Sequence, residues 1–378
     1  MAREKKQGDH NEGGASVGRR EFLVGSASLA LAAGLAGACS DDSGKPADAR
    51  TEGAGRDGGS DLKGGEHRIA DGAAPCPSPS PLVPPASPAR VVEVHDASCV
   101  SGTTVDGARV KAMLAAGLKS LAQAADVKAA WKALIPDFAP SMRIGIKLNC
   151  LSSYVYSSVP FLQALIETLV QDLGADAAKL VVWDRRGDEL TRSKITEAAL
   201  KVKVLGTVAS TTDGAGPGYE TKEMCVLTKS THLSKILTTE TDITINIPLL
   251  KTHTVSGMTG SMKNVYGCID NPGDFHSDLI HVLPVIYRMD EIRKRVRLHI
   301  TEGLFAVVKG DTADPPDTVP GRLLLATDPV ALDSRAIALA NTLRGTAKPI
   351  DPTKLAWLDE ALKLNLGTTT RDDQLITL

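Results

Sequence analysis

Lys251 and His253 stand two places apart at the end of the nearly apolar run NIPLLKTH. Pro248 has no N–H to give to a sheet ladder, so the strand is expected to end there. Beyond it, Lys251 and His253 fall on one side of any extended continuation. An ammonium beside an imidazole suits an anion, a carbonyl oxygen or a metal-bound ligand; the same pair also suits an exposed turn. The next residues, SGMTGSMKN (256–264), combine Gly257 and Gly260 with the hydroxyls of Ser256, Thr259 and Ser261. Such a backbone can approach a ligand closely and turn N–H groups towards an anion. Lys263 and Asn264 then enter what reads as a short helix. The segment has the ingredients of a phosphate cradle but not the P-loop pattern G-x-x-x-x-G-K-S/T. Further on, DNPGDFHSDLIH offers Asp270, Asp274, His276, Asp278 and His281. That density could hold a divalent cation, but the spacing is not H-E-x-x-H, and turn chemistry around Pro272-Gly273 accounts for it equally well. In ATDPVALDSRAIALA, Asp328 precedes Pro329 and reads as a helix N-cap. Asp333 sits in an otherwise apolar stretch, where a carboxylate must pair with a cation or face a site.

The elements that position these groups alternate in type. RVVEVH, RIGIKLN, KLVVWD, DITINIP, RLHITEG and RLLLATD read as strands. Helical segments lie between most of them, including one opened by Pro160 and stopped at Gly174. An apolar stripe running Val282, Val285, Ile286, Met289, Ile292 and Val296 reads as one further helix. Strands apolar on both faces and alternating with helices predict an α/β fold, with a mostly parallel sheet flanked by helices on both faces, as one large domain or two closely associated subdomains. Functional groups of such sheets gather beyond the carboxyl ends of strands. The expected ends carry Asn149, Asp184, the Lys251/His253 loop, Glu302 with Gly303, and Asp328, which together would line a rim.

The whole chain sets bounds on what that rim can meet. It has 378 residues, 42% of them hydrophobic, and a formal charge of −2. A general nucleic-acid binder needs a basic surplus, and 3% aromatic residues leave little for base stacking. The six cysteines form no C-x-x-C pair, so neither an iron–sulphur cluster nor a zinc ribbon is expected. Residues 1–39 read as a targeting segment. Arg19-Arg20 followed by Phe22-Leu23 and a mild Ala/Gly/Ser-rich apolar run resembles a twin-arginine export signal, departing from it at Gly18 and Val24. The run is shorter and less apolar than a spanning helix needs. Ala36-Gly37-Ala38 fits a cleavage site, and the same residues before Cys39 resemble a lipoprotein box, so a lipid anchor and a soluble mature form both remain open. Residues 40–88, dominated by Gly, Asp, Ser and Pro, read as a disordered linker with an extended Pro-rich end. Residues 89–378 are the expected α/β domain.

The pieces RIGIKLN, GADAAKLVVWD, ITINIPLLKTHTVSGMTGSMKNVYG and LLLATDPVALD resemble, in that order, the landmarks of the domain of unknown function 362 family. The resemblance implies that Lys251, His253, Thr259, Gly260, Lys263, Asn264, Asp328 and Asp333 belong to the family's shared core. Some members carry iron–sulphur modules, which the cysteines here do not support. The resulting expectation is a periplasmic or cell-envelope protein, moved by the twin-arginine machinery, that binds a small anion at a Lys/His/Asn/Asp site. It is either an enzyme or cofactor-dependent protein or a non-catalytic, membrane-tethered binding protein. Lys251, His253, Lys263, Asn264 and Asp328 are the candidate catalytic groups. Asn149, Asp184, Thr259, Gly260 and Asp333 would surround a cofactor of unknown identity, and His253 with His276 would face a divalent metal.

Overall fold

The computed structural model describes residues 76–209 and 215–378. Ten strands form the main sheet: β1 (Ala89–His95), β2 (Ile144–Lys147), β3 (Leu180–Arg186), β4 (Lys203–Val208), β5 (Ile243–Asn246), β6 (Leu249–His253), β7 (Gly257–Thr259), β8 (Val296–Val307), β9 (Arg322–Ala326) and β10 (Arg371–Thr377). The order across it is β10-β1-β9-β8-β5-β2-β3-β4, with β6 beside β8 and β7 folded back on β6. Every neighbouring pair along the main path is parallel except those made by β9, which runs antiparallel to both β1 and β8. The expected mostly parallel α/β sheet is therefore present. A separate antiparallel hairpin, Tyr219–Val226 with Lys229–Ser234, lies outside it.

Each sheet face buries its own apolar set. On one side, α1 (Gly107–Ala122), α2 (Val127–Leu134) and α3 (Val159–Thr168) bring Met113, Leu118, Trp131, Phe161 and Leu165 onto Ile146, Val182, Ile245 and Ile300. Their starts follow capping rules. Asp106 accepts from the Ala108 and Arg109 amides, Asp126 from Ala129, and Ser158 from Phe161. The turn of chain after α3 ends at Gly174, φ 85°, as its position predicts. The other face carries the short α4 (Ser261–Val265), then α5 (Leu279–Arg288), α6 (Pro329–Leu343) and α7 (Trp357–Lys363). Leu283, Ile286, Ala336 and Trp357 pack there with Val181, Trp183 and Leu324. Among the described residues no helix is long and apolar enough to cross a membrane.

Four sequence expectations change. The apolar stripe expected to run from Val282 to Val296 divides, because α5 stops at Arg288 and Val296 already opens β8. Glu302 and Gly303 do not end a strand, since β8 continues to Val307. Because β9 is antiparallel, its carboxyl end and Asp328 point to the opposite edge from the ends of β2, β3 and β5. Finally, Pro248 interrupts the ladder without ending it. The chain resumes as β6, parallel to the second half of β8, so Lys251 and His253 sit on a strand rather than a loop.

The Pro-rich end of the expected linker is ordered and tied down from residue 76. Cys76 forms a disulfide with Cys225, and its amide donates to the Leu227 carbonyl. The Leu82 amide donates to the Leu364 carbonyl, and Asn365 donates to the Leu82 carbonyl. Cys99, Cys150 and Cys268 are free thiols and buried.

Candidate functional site

The site rests on a row of polar residues in the middle of the sheet. Lys147 on β2 is in register with Asn246 on β5, and Asn246 with His299 on β8. All three are buried. Ile146, Ile245 and Leu298, their chain neighbours, face the α1–α3 side, so alternation turns the row towards α4. Lys147 Nζ lies 2.6 Å from Asp184 Oδ1 and donates to the Leu148 carbonyl at 2.6 Å. Asp184 Oδ1 also accepts from the Arg185 amide, and Oδ2 from the Cys150 amide at 2.6 Å. The Asp184 carboxylate thus clamps the ends of β2 and β3 together. Gly267 lies close over the pair; a Cβ there would stand 3.1 Å from Lys147 Nζ. Removing either partner of so buried a pair leaves an uncompensated charge.

A chain of side-chain amides extends from the row to the sheet edge. Asn246 Nδ2 donates to the Ser261 carbonyl at 2.9 Å and to His299 Nδ1 at 3.0 Å. His299 Nε2 is 3.0 Å from the Tyr287 hydroxyl. Asn264 Nδ2 donates to Asn246 Oδ1 at 2.7 Å and to the Lys147 carbonyl at 3.4 Å. Asn149 Nδ2 donates to Asn264 Oδ1 at 3.2 Å. Burial pushes His299 down to about 3 and raises the Tyr287 phenol well above its usual range, so both are neutral. Sequence reasoning singled out Asn149 and Asn264 but missed Lys147, Asn246, His299 and Tyr287. The signal for Lys147, Asn246 and His299 was a large polar side chain flanked on both sides by apolar residues, in IKL, INI and LHI.

The β6–β7 hairpin carries the lysine and histidine. His253 Nδ1 accepts from the Val255 amide at 3.1 Å and the Ser256 amide at 3.2 Å. A nitrogen that accepts twice holds no proton, so the imidazole is neutral and carries its hydrogen on Nε2. The turn is tight because Gly257 takes φ +72° and packs against Leu355 and Ile350. The Trp357 indole donates to the Ser256 carbonyl at 3.0 Å and fixes it from outside. The His253 ring centroid lies 5.1 Å from that of His276, and His276 lies 6.5 Å from Tyr266. Lys263 Nζ stands 5.5 Å above the Tyr266 ring. His253, His276 and the neighbouring pair Lys263 and Tyr266 are therefore gathered from three separate segments. Lys251, on the same strand face as His253 by alternation, pairs with Thr259 across the hairpin. Leu249, also on that face, packs on Val155 in the loop that follows Asn149.

Other candidates lie apart from this group or are already engaged. Asp333 is fully buried and receives the Ser261 amide on Oδ1 at 2.6 Å and the Met262 amide on Oδ2 at 3.2 Å. Burial raises its carboxyl to about 7 against the pull of those amides. The amides of residues 256–264 that could have met an anion thus include two already facing the protein's own carboxyl group. Gly260 makes this approach feasible, since a Cβ there would lie 2.5 Å from the Asp333 carboxyl. Asp328 caps α6 through the Ala331 amide at 2.9 Å and ties the Thr368 amide at 3.0 Å. Asp270 meets His232 at 2.8 Å, and Asp278 meets His281 at 2.6 Å. Among the described residues no group of three or more His, Cys, Asp and Glu converges as a metal site.

Comparison with known proteins places this arrangement. No curated protein matches the chain. Among solved structures it is similar to a crystal structure of a Thermotoga maritima protein from a structural genomics consortium, at 12% identity and a TM-score of 0.40. That match covers 64% of this chain and 60% of the other, under two thirds of its length. The model of the domain of unknown function (DUF362) family matches residues 144–338, from β2 through most of α6 and over half of the chain. The amide relay, the hairpin and Asp333 all fall within that match, and the chain belongs to the DUF362 family.

Proposed function

We propose that this protein is exported to the cell envelope, and that it binds a small anionic molecule at the β6–β7 hairpin and performs electrophilic work on it. The observation that carries the reading is the fixed tautomer of His253. Its Nδ1 is held by two backbone amides, so Nε2 carries the proton of a neutral ring beside His276. A neutral imidazole locked in one orientation is a prepared hydrogen-bond donor, able to polarise a substrate oxygen. Lys251 and Lys263 supply positive charge for the anion, and Asn264 orients the Asn149 amide beside it. Export is supported by the Cys76–Cys225 disulfide, a bond favoured in oxidising compartments. The Arg19-Arg20 signal and Cys39, where a lipid anchor would attach, lie outside the described residues.

The experiment is a screen of the protein for turnover of small carboxylates and phosphate esters, followed by His253→Ala on whichever reacts. The reading expects kcat to fall by roughly 100-fold or more while KM changes little and the fold is retained. An unchanged kcat would remove His253 from the chemistry. Tight binding without turnover would select a binding protein at the same site.

A further inference from the structure

The amide relay has a direction, and that direction defines what Asn149 can bind. Backbone carbonyls only accept hydrogen bonds. The Asn246 atom 2.9 Å from the Ser261 carbonyl is therefore its NH2, which leaves Oδ1 towards Asn264. Asn264 must answer with its own NH2, and the Lys147 carbonyl beside that group demands the same orientation independently. Asn264 Oδ1 then faces Asn149, which must donate. Two carbonyls thus fix three amide orientations, which no single amide's shape could do. At the end of the relay, Asn149 Oδ1 is buried and accepts no hydrogen bond. A buried carbonyl oxygen left without a donor is costly, and the relay prevents the amide from flipping to relieve it.

We infer that Asn149 is the ligand-reading acceptor of this site, and that the ligand is a small anion which also carries an O–H or N–H donor. Hydroxy acids, amino acids and polyol phosphates have this chemistry. The inference rests on the anion reading above and adds the second recognition element. A metal ion is disfavoured as the partner of Asn149, because no cluster of three His, Cys, Asp or Glu side chains exists among the described residues to complete its coordination. The loop after Asn149 packs through Val155 on Leu249, which lies on the strand face of Lys251 and His253. The acceptor and the cationic strand are thus joined by one packed contact.

The test uses matched probe pairs that differ only in the donor: glycolate with acetate, and glycerol 3-phosphate with propyl phosphate. Calorimetric titration of the full chain should show at least one pair in which the hydroxylated member binds about tenfold tighter or more. The pair that discriminates tells whether the anion is a carboxylate or a phosphate. Asn149→Ala should bring that ratio to about one, whereas Lys251→Ala should weaken both members alike. If Asn149→Ala does not fold, Asn149→Ser takes its place, and it should retain only part of the ratio. Equal binding of both members by the unmodified protein overturns the inference, as does an undiminished ratio in the Asn149 variant. In both cases the anion reading stands as long as Lys251→Ala weakens binding. Absence of binding by all four probes overturns both.

Discussion

Glu302 shows how much one residue's surroundings can do. It lies in the interior of β8, fully enclosed, with one oxygen receiving the Ser158 amide at 3.0 Å. Burial lifts its carboxyl from 4.5 to about 7. A folded-state value above the unfolded one means that the folded protein holds the proton more tightly. Its stabilising effect is complete below pH ~4.5 and is lost as pH rises through ~7. Glu302→Gln keeps the acceptor and removes the titration. Urea unfolding at pH 4.5 and pH 8 should show the variant gaining on the parent by on the order of 2 kcal/mol across that interval. Parallel pH profiles would show that Glu302 does not titrate there. The candidate site was partly legible from single residues. Lys251, His253 and His276 could be chosen by type and spacing. Lys147, Asn246 and His299 were hidden, because their roles come from register between strands far apart in sequence, and one chain's pattern does not encode register directly.

At the scale of elements, the contact between α4 and α6 holds the site's floor. Asp333 from α6 covers the first amides of α4, and Gly260 alone leaves room for it. Gly260→Ala should force the carboxyl out and lower unfolding free energy by roughly 2–4 kcal/mol. Because both changes break one contact, adding Asp333→Ala should cost little further, so the double variant falls well short of the sum. Additive losses in chemical denaturation would contradict that coupling. The helices and parallel strands around this contact could be read from caps, Pro160, Gly174 and apolar runs, since those signals are local. The direction of β9 could not. RLLLATD is apolar whichever way it runs, and the antiparallel choice is made by pairing with β1 and β8. That choice moves Asp328 away from the expected rim.

At the scale of the molecule, the Pro-rich segment from residue 76 is part of the domain rather than a free spacer. The Cys76–Cys225 bond closes a separation of 149 residues and fixes the segment beside the hairpin that follows β4. Replacing both cysteines by serine should lower stability by about 2–4 kcal/mol. Ligand affinity should be unchanged in the folded variant, because the bond lies on the separate Tyr219–Ser234 hairpin and not on the strands of Lys251 and His253. An unaltered unfolding midpoint would show that the bond contributes nothing to the fold. Composition identified this segment as extended, but its docking depends on Leu82, Arg288 and Asn365, which are far apart in sequence. Native mass spectrometry of the protein isolated from cell envelopes tests whether the β6–β7 hairpin holds a small anion. An added small-molecule mass is expected on the unmodified protein, absent from a folded Lys251→Ala/Lys263→Ala variant prepared alongside. Identical apo masses for both proteins would contradict it.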